Sequence, residues 1–296
     1  MIELISEDRR ALARMMTEIE LGNDSVSESL IGNLRGSAVY GITGFPGSGK
    51  STIISWLAME MIRKGHRVGV LCIDPSSPFS GGSILGDRIR MQELSRHDNA
   101  FIRSVPTGGK KGGLSYFIVD LINALDAASY DSIFIETVGA GQDETEIRNI
   151  SDVVIMVTVP NLGDEIQAIK AGIMEIADVF VVNKADTGPA DEKVKELLLA
   201  IGDKQAGDMP EVVKTIATKG EGISDLLSAI ERRMKQSSRT KEDRIRSRLK
   251  QLIRYRVEQR LDRYVSSRDF DHLVDELLSG KKISDVVLKT VGELAK

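Results

Sequence analysis

The segment Gly44-Phe45-Pro46-Gly47-Ser48-Gly49-Lys50-Ser51-Thr52 constrains the fold of this 296-residue chain more than any other stretch. Glycine, four residues and then Gly-Lys-Ser/Thr is a phosphate-binding loop when it joins a strand to a helix. The apolar run Ala38 to Ile42 reads as that strand, and a helix opens at about Lys50. Glycines let the backbone wrap a polyphosphate with its N–H groups pointing inward. The helix N-terminus adds the positive end of its dipole. On this reading Gly44, Pro46, Gly47, Ser48 and Gly49 form the cradle, and Thr52 completes the motif. Lys50 stands exposed without nucleotide and reaches the β and γ phosphates, while the Ser51 hydroxyl binds Mg2+. The bland alternative is a glycine-rich turn with an incidental lysine. It leaves the spacing and the flanking strand and helix unexplained.

From Val39 to about Lys235, short β-branched runs alternate with longer amphipathic stretches. The runs are Ala38 to Ile42, Val68 to Ile73, Ala100 to Val105, Ser132 to Ile135, Val153 to Val159, Val179 to Val182 and Val212 to Ile216. Most are apolar on both faces, as central parallel strands covered by helices are. The alternation predicts βαβ units and an α/β fold with a doubly wound, mostly parallel sheet. Residues 1–36 read as an N-terminal helical extension, with Leu12, Met15, Met16 and Ile19 at helical spacing and a break over Gly22-Asn23-Asp24-Ser25. The phosphate-loop domain is expected over 37–236. Residues 237–296 form a C-terminal helical arm. It opens with a linker at Ser237-Ser238-Arg239-Thr240, then a charged helix from about Lys241 to Val265. Ile245, Leu249, Leu252, Val257 and Leu261 mark that helix's apolar stripe. A shorter helical pair closes the chain.

Val179-Phe180-Val181-Val182 runs into Asn183-Lys184-Ala185-Asp186. Asn-Lys-x-Asp after a late strand is what a guanine site needs. The Asp186 carboxylate accepts from the guanine ring N–H and exocyclic amine, a donor pair adenine lacks. The Lys184 stem covers one face of the base, and Asn183 bonds the base edge and ties the loop down. Alone the tetrapeptide is a weak signal, but after a phosphate loop it favours guanine. Thr215-Ile216-Ala217-Thr218-Lys219 then suits a loop whose Ala217 N–H meets the guanine oxygen.

The strand ending at Ile135 leads into Glu136-Thr137-Val138-Gly139-Ala140-Gly141-Gln142. Glu136, facing the phosphate loop, suits a carboxylate that holds the waters around Mg2+, and Gly139 can offer its N–H to a γ-phosphate. GTPases of the Ras type carry Asp at the first position and Gln directly after the Gly. Here Gln142 lies further along, which weakens a direct transfer of the Ras catalytic glutamine. Asp74 also ends a strand, where an open α/β sheet binds ligand. It can orient the attacking water or a metal-bound water, the alternative being a turn residue before Pro75. In the polar loop Ser80 to Asp87, Asp87 can complete the Mg2+ shell when the loop closes. Thr107 to Gly113, with Lys110 and Lys111, reads as a second flexible loop, and Pro160 to Lys170 as a further moving element.

Composition removes several other classes. The formal net charge of -4, from 40 Lys plus Arg against 44 Asp plus Glu, gives no nucleic-acid signal. The basic run from Arg244 to Arg263 reads as a solvated helix, because aromatic stacking platforms are sparse there. One cysteine allows no intrachain disulfide, and Cys72 is expected to pack as a small hydrophobe. The dispersed His66, His97 and His272 make no zinc pattern. No apolar run approaches the ~20 residues of a membrane span, and Met1-Ile2-Glu3-Leu4-Ile5 lacks a signal-peptide pattern. The expected location is cytoplasmic, with no membrane partner.

Together these motifs resemble the MeaB/ArgK GTPases, which serve adenosylcobalamin-dependent acyl-CoA mutases such as methylmalonyl-CoA mutase. The resemblance covers nearly the whole chain. It includes Asp8-Arg9-Arg10-Ala11-Leu12-Ala13-Arg14, Gly41-Ile42-Thr43-Gly44 and Asp74-Pro75-Ser76-Ser77-Pro78 with Gly81 to Asp87. It extends to Glu136 to Gln142 and to Glu165-Ile166-Gln167-Ala168-Ile169-Lys170-Ala171-Gly172. The departures from Ras are normal for that family. The resemblance implies a SIMIBI-class phosphate-loop domain that binds GTP or GDP with Mg2+ and forms a homodimer through the C-terminal arm. It implies GTP hydrolysis that gates cobalamin loading and protection of a mutase. The chain has no Asp-x-His-x-x-Gly segment, so it handles a partner's cobalamin. Two alternatives stand beside this: a P-loop kinase or ATPase linked to amino-acid transport, and a metal-insertion GTPase, which needs clustered His and Cys.

Overall fold

A computed structural model describes residues 2–74, 91–106, 114–137, 143–160, 173–202, 209–237, 239–265 and 268–294. Its seven strands are β1 Ala38–Gly44, β2 Val68–Asp74, β3 Ala100–Pro106, β4 Ser132–Glu136, β5 Val153–Thr158, β6 Val179–Val182 and β7 Glu211–Lys214. They form one sheet in the order β3-β2-β4-β1-β5-β6-β7. Every neighbouring pair is parallel, so the sheet expected to be mostly parallel is entirely so. The chain leaves central β1 for β2 and β3 on one side, then supplies β5, β6 and β7 on the other. That reversal opens a crevice at the carboxyl ends of the strands, where such sheets bind ligand.

The chain divides into two compact units, Met1–Arg248 and Leu249–Lys296. In the first, helices α1 Ile2–Glu7, α2 Arg9–Glu20 and α3 Asp24–Leu30 precede the sheet. Then come α4 Lys50–Arg63, α5 Gln92–Arg96, α6 Ile118–Ala127, α7 Asp143–Ile150, α8 Ile173–Ile176, α9 Ala190–Ile201 and α10 Ile223–Gln236. On one face α4 and α10 bury Ile53, Leu57, Leu226 and Ile230 against Ile42, Phe134 and Ile155. On the other, α6 lies with Leu125 against Gly69 of β2, while α2 and α3 pack on it. Covered from both sides, α6 is buried at every residue.

Several boundaries differ from the sequence reading. Asp24 and Ser25 open α3 instead of lying in the break, since an acidic residue favours a helix's first turn. Ile216 lies beyond β7 and bridges Glu221 in antiparallel fashion. Residues 31–36 were expected to be helical, but only Ile31–Asn33 turns, as a 3-10 helix. The backbone N–H groups of Arg35, Gly36 and Ser37 instead donate to the Asp126 carboxylate at 3.0–3.1 Å.

Asp126 anchors more than this segment. Its Oδ2 lies 2.6 Å from Nη2 of Arg248, and both side chains are buried. Burial pushes the Asp126 carboxyl up, but Arg248 and the Ser37 and Gly36 hydrogen bonds outweigh it and hold it below the ordinary carboxylate range. Nearby Asp152 accepts from the Val39 N–H at 2.8 Å and pairs with Arg244 at 3.5 Å. There burial prevails and raises the carboxyl. Arg244 and Arg248 lie on α11 Lys241–Val265, whose first turn is closed by reciprocal bonds between Thr240 and Asp243.

The second unit holds the rest of α11, then α12 Arg268–Leu278 and α13 Ile283–Leu294. Ile253, Val257, Leu261 and Val265 recur every four residues along α11 and are all exposed. Among the described residues, no helix is long and apolar enough to cross a membrane.

Candidate nucleotide site

Two glycines shape the loop after β1. A Cβ on Gly44, at φ +137°, would collide with the Val157 carbonyl of β5. Gly49, at φ +99°, caps α4 in the left-handed region, and a Cβ there would collide with the Asn183 amide. The loop thus closes against β5 and against Asn183, which follows β6, at once. Lys50 was expected to be exposed; the structure corrects this. It is 6% exposed, and its Nζ donates to the carbonyls of Gly44 at 2.7 Å and Phe45 at 3.0 Å. An ammonium brings three donors, and the loop's own carbonyls engage two of them. The Ser48 hydroxyl is buried and has no hydrogen-bond partner among the described residues.

The sheet register delivers the carboxylate. Glu136, last in β4, sits opposite Ile42 of β1 and Cys72 of β2. Its Oε1 accepts from the Ser51 hydroxyl at 2.7 Å, and the Cys72 thiol lies 3.9 Å from Oε2. Cys72 is buried, as expected of a small hydrophobe. Behind this pair, the buried hydroxyls of Thr137 and Thr43 are 2.9 Å apart, and the Thr137 N–H donates to the Ile42 carbonyl. Ser51 and Glu136 offer hydroxyl and carboxylate oxygens, the donor set Mg2+ takes. Asp74 ends β2 beside Pro106 of β3, on the same edge of the sheet. Asp87, Gly139 and Gln142 lie outside the described residues. So do the loops Gly81 to Asp87 and Thr107 to Gly113, and the segment Asn161 to Gly172. Among the described residues, no three His, Cys, Asp or Glu side chains gather as metal ligands.

At the base end, Asn183 is 2% exposed and joins three segments. Its Nδ2 donates to the Ser48 carbonyl at 2.7 Å, and its Oδ1 accepts from Thr215 Oγ1 and the Ala217 N–H, each at 3.0 Å. The Ala217 N–H assigned to the guanine oxygen is therefore engaged by Asn183. Lys184 has φ +56°, a left-handed conformation that turns the chain sharply after β6. Asp186 and Lys219 face each other at 3.5 Å, both substantially exposed. The sequence reading did not single out Trp56, whose indole N–H donates to the Ala217 carbonyl at 2.7 Å. Its one signal was being the chain's single tryptophan, on the helix that follows the phosphate loop. The structure thus brings Gly44, Ser48, Gly49, Lys50, Ser51 and Glu136 together, and joins them through Asn183 to Ala217.

Residues 12–269 match the family model described as methylmalonyl Co-A mutase-associated GTPase MeaB. A protein of Pyrococcus abyssi named as a GTPase is 43% identical, over 96% of this chain and 93% of its own length. The GTPase ArgK of Escherichia coli is 35% identical, over 93% of this chain and 88% of its own. A solved crystal structure named as an LAO/AO transport system kinase is 25% identical with a TM-score of 0.69, covering 100% of this chain and 96% of that one.

Proposed function

Because the chain belongs to the MeaB family of GTPases, we propose that it attends an adenosylcobalamin-dependent acyl-CoA mutase of the methylmalonyl-CoA type. In this reading GTP binding and hydrolysis gate cofactor loading and protect the mutase. The observation that carries the nucleotide half is Asn183, which ties the phosphate loop at Ser48 to the Thr215–Ala217 loop. A single side chain thereby sets the distance between the phosphate end and the base end. The mutase half rests on the family's description.

The residues take these roles. Gly44, Pro46, Gly47, Ser48, Gly49 and Thr52 wrap the phosphates. Lys50 exchanges the Gly44 and Phe45 carbonyls for β and γ phosphate oxygens. Asp186 accepts from guanine, Lys184 covers its face, and Ala217 lies at its oxygen edge. Ser51, Glu136, Asp74 and Asp87 are the residues that would hold Mg2+, directly or through its waters; the ion neutralises charge on the phosphates. Asp74 orients the attacking water or a metal-bound water, and Gly139 and Gln142 complete the site around the γ-phosphate. A mutase that engages Gly81 to Asp87 and Gly139 to Gln142 would complete this arrangement, a mode that contributes several powers of ten in other GTPases. The exposed stripe Ile253, Val257, Leu261 and Val265 supports a homodimer through the C-terminal arm, since such faces mark interaction surfaces. The site of action is the cytosol.

The test is phosphate release from GTP by the purified chain, with and without a methylmalonyl-CoA-type mutase, together with co-purification of the two. Acceleration and co-purification are expected. A mutase that neither binds nor changes turnover removes the chaperone reading and leaves the GTPase. A phosphotransferase linked to amino-acid transport, the reading suggested by the name of the solved relative, predicts γ-phosphate transfer to an acceptor in place of phosphate release.

A further inference from the structure

The contact between Trp56 and the Ala217 loop has no role in the scheme above. Trp56 projects from α4, the helix that starts at Lys50. The Ala217 carbonyl accepts from Trp56 Nε1 at 2.7 Å and from the Gly220 N–H at 3.3 Å, so both of its lone pairs are used. Gly220, at φ +72°, lies under the indole, where a Cβ would stand 3.1 Å from Cη2 and Cζ2. The Ala217 N–H goes to Asn183, and Asn183 returns to Ser48. The contacts form a closed circuit from the phosphate loop through α4, Trp56, Ala217 and Asn183 to the phosphate loop again. The loop it braces contains Lys219, which faces Asp186 at 3.5 Å.

We propose that Trp56 is a positioning residue for guanine recognition: its indole N–H fixes the 215–220 loop against α4, and thereby sets where Ala217 and Lys219 stand relative to the base. The proposal rests on the guanine reading of the site. An indole N–H only donates, so a loop that drifts from α4 leaves it unpaired as well as releasing Ala217. Within the loop, Ile216 bridges Glu221, and the N–H groups of Lys219 and Gly220 donate to the carbonyls of Ile216 and Ala217; these bonds hold the loop to itself, and the tryptophan ties it to the helix.

Trp56→Phe keeps an aromatic ring over Gly220 and removes the N–H. In the full chain its affinity for GDP is expected to fall about three- to tenfold, the equivalent of one net hydrogen bond. Its affinity for inorganic tripolyphosphate, which engages the phosphate loop alone, should be retained, and the loss for GTP should fall on KM more than on kcat. The wild-type chain gives a second measurement that needs no variant. With a single tryptophan, its indole emission should change on saturation with GDP and not with tripolyphosphate. Equal losses for GDP and tripolyphosphate would mean that Trp56 braces α4 generally, and would overturn the proposal. So would unchanged GDP affinity in the variant, or emission indifferent to GDP. A wild-type chain that binds ATP as tightly as GTP instead overturns the guanine reading itself, which keeps the two failures distinct.

Discussion

Replacing Asn183 with Asp alters one group at the junction of the two halves of the site. Oδ1 would keep its bonds from Thr215 Oγ1 and the Ala217 N–H, both at 3.0 Å. The amide that donates to the Ser48 carbonyl at 2.7 Å would become an oxygen facing an oxygen. The lost bond contributes about 1 kcal/mol net, and the stranded carbonyl costs roughly 1–3 kcal/mol more. At pH 8 the variant is expected to be about 2–4 kcal/mol less stable than the native chain. It should also bind GDP at least roughly tenfold more weakly, since both loops depend on this side chain. Burial at this position raises the pKa of the new carboxyl. Once protonated, it regains a donor for Ser48. The variant's deficit is therefore absent below the unfolded-state pKa of about 3.9 and grows as pH rises through the raised folded-state value. Urea unfolding between pH 5 and 8, with and without GDP, measures both effects. Native stability and native GDP affinity in the variant at pH 8 would refute the junction.

Asp186→Asn should weaken GTP binding by about two powers of ten and shift preference toward xanthosine triphosphate, because the new amide donor opposes a guanine donor and meets a xanthine carbonyl; competition binding decides this. Asp126→Asn leaves buried Arg248 without its charge partner and should cost about 3–5 kcal/mol at neutral pH. Because the native carboxyl titrates below the ordinary carboxylate range, that difference should persist at pH 5 and close only as pH falls through the depressed value, which denaturant midpoints would show. A chain ending at Arg248 is expected to be monomeric in light scattering and to bind GDP. One ending at Ser238 also loses Arg244 and Arg248, exposing the Asp126 cluster, and should melt well below it.

The central strands were legible because both of their faces are buried, so apolar residues, many of them β-branched, dominate them, and Val179–Val182 matches its expected limits; the edge strands β3 and β7 are only partly buried. The phosphate loop was legible because its motif carries glycine where a Cβ would strike the Val157 carbonyl, at Gly44, and the Asn183 amide, at Gly49. What escaped depends on partners distant in sequence. Gly32, Asn33 and Gly36 are poor helix formers and mark the helix as ending near Leu30, but where the chain goes next depends on Asp126, about ninety positions on, which takes the N–H groups of 35–37. Nothing local to either segment signals that capture. Lys50 carried its motif, but its position depends on carbonyls, which every residue has, so its burial could not be read. Trp56 illustrates the same limit. Its donor meets a backbone oxygen of Ala217, and a single tryptophan in an amphipathic helix reads as core.

Several polar groups assigned to nucleotide already have partners within the protein. Lys50 holds the Gly44 and Phe45 carbonyls, and Ser51 holds Glu136. The Ala217 N–H is given to Asn183, and Asp186 faces Lys219. Binding through these groups is therefore an exchange of hydrogen bonds, and each exchange contributes only the difference between the old contact and the new. Two consequences follow. The favourable balance must come from contacts to ionised phosphate, which are stronger than those to neutral carbonyls, so the Lys50 exchange is downhill only when phosphate is present. Base selection, by contrast, depends on whether the displaced groups find new partners. Lys219 is largely exposed and can return to water, whereas Ala217 and Asn183 are buried and cannot. A base that fails to satisfy that buried pair leaves the loop in its internally bonded state, and selectivity then arises from the stability of the protein's own network as much as from any contact to guanine.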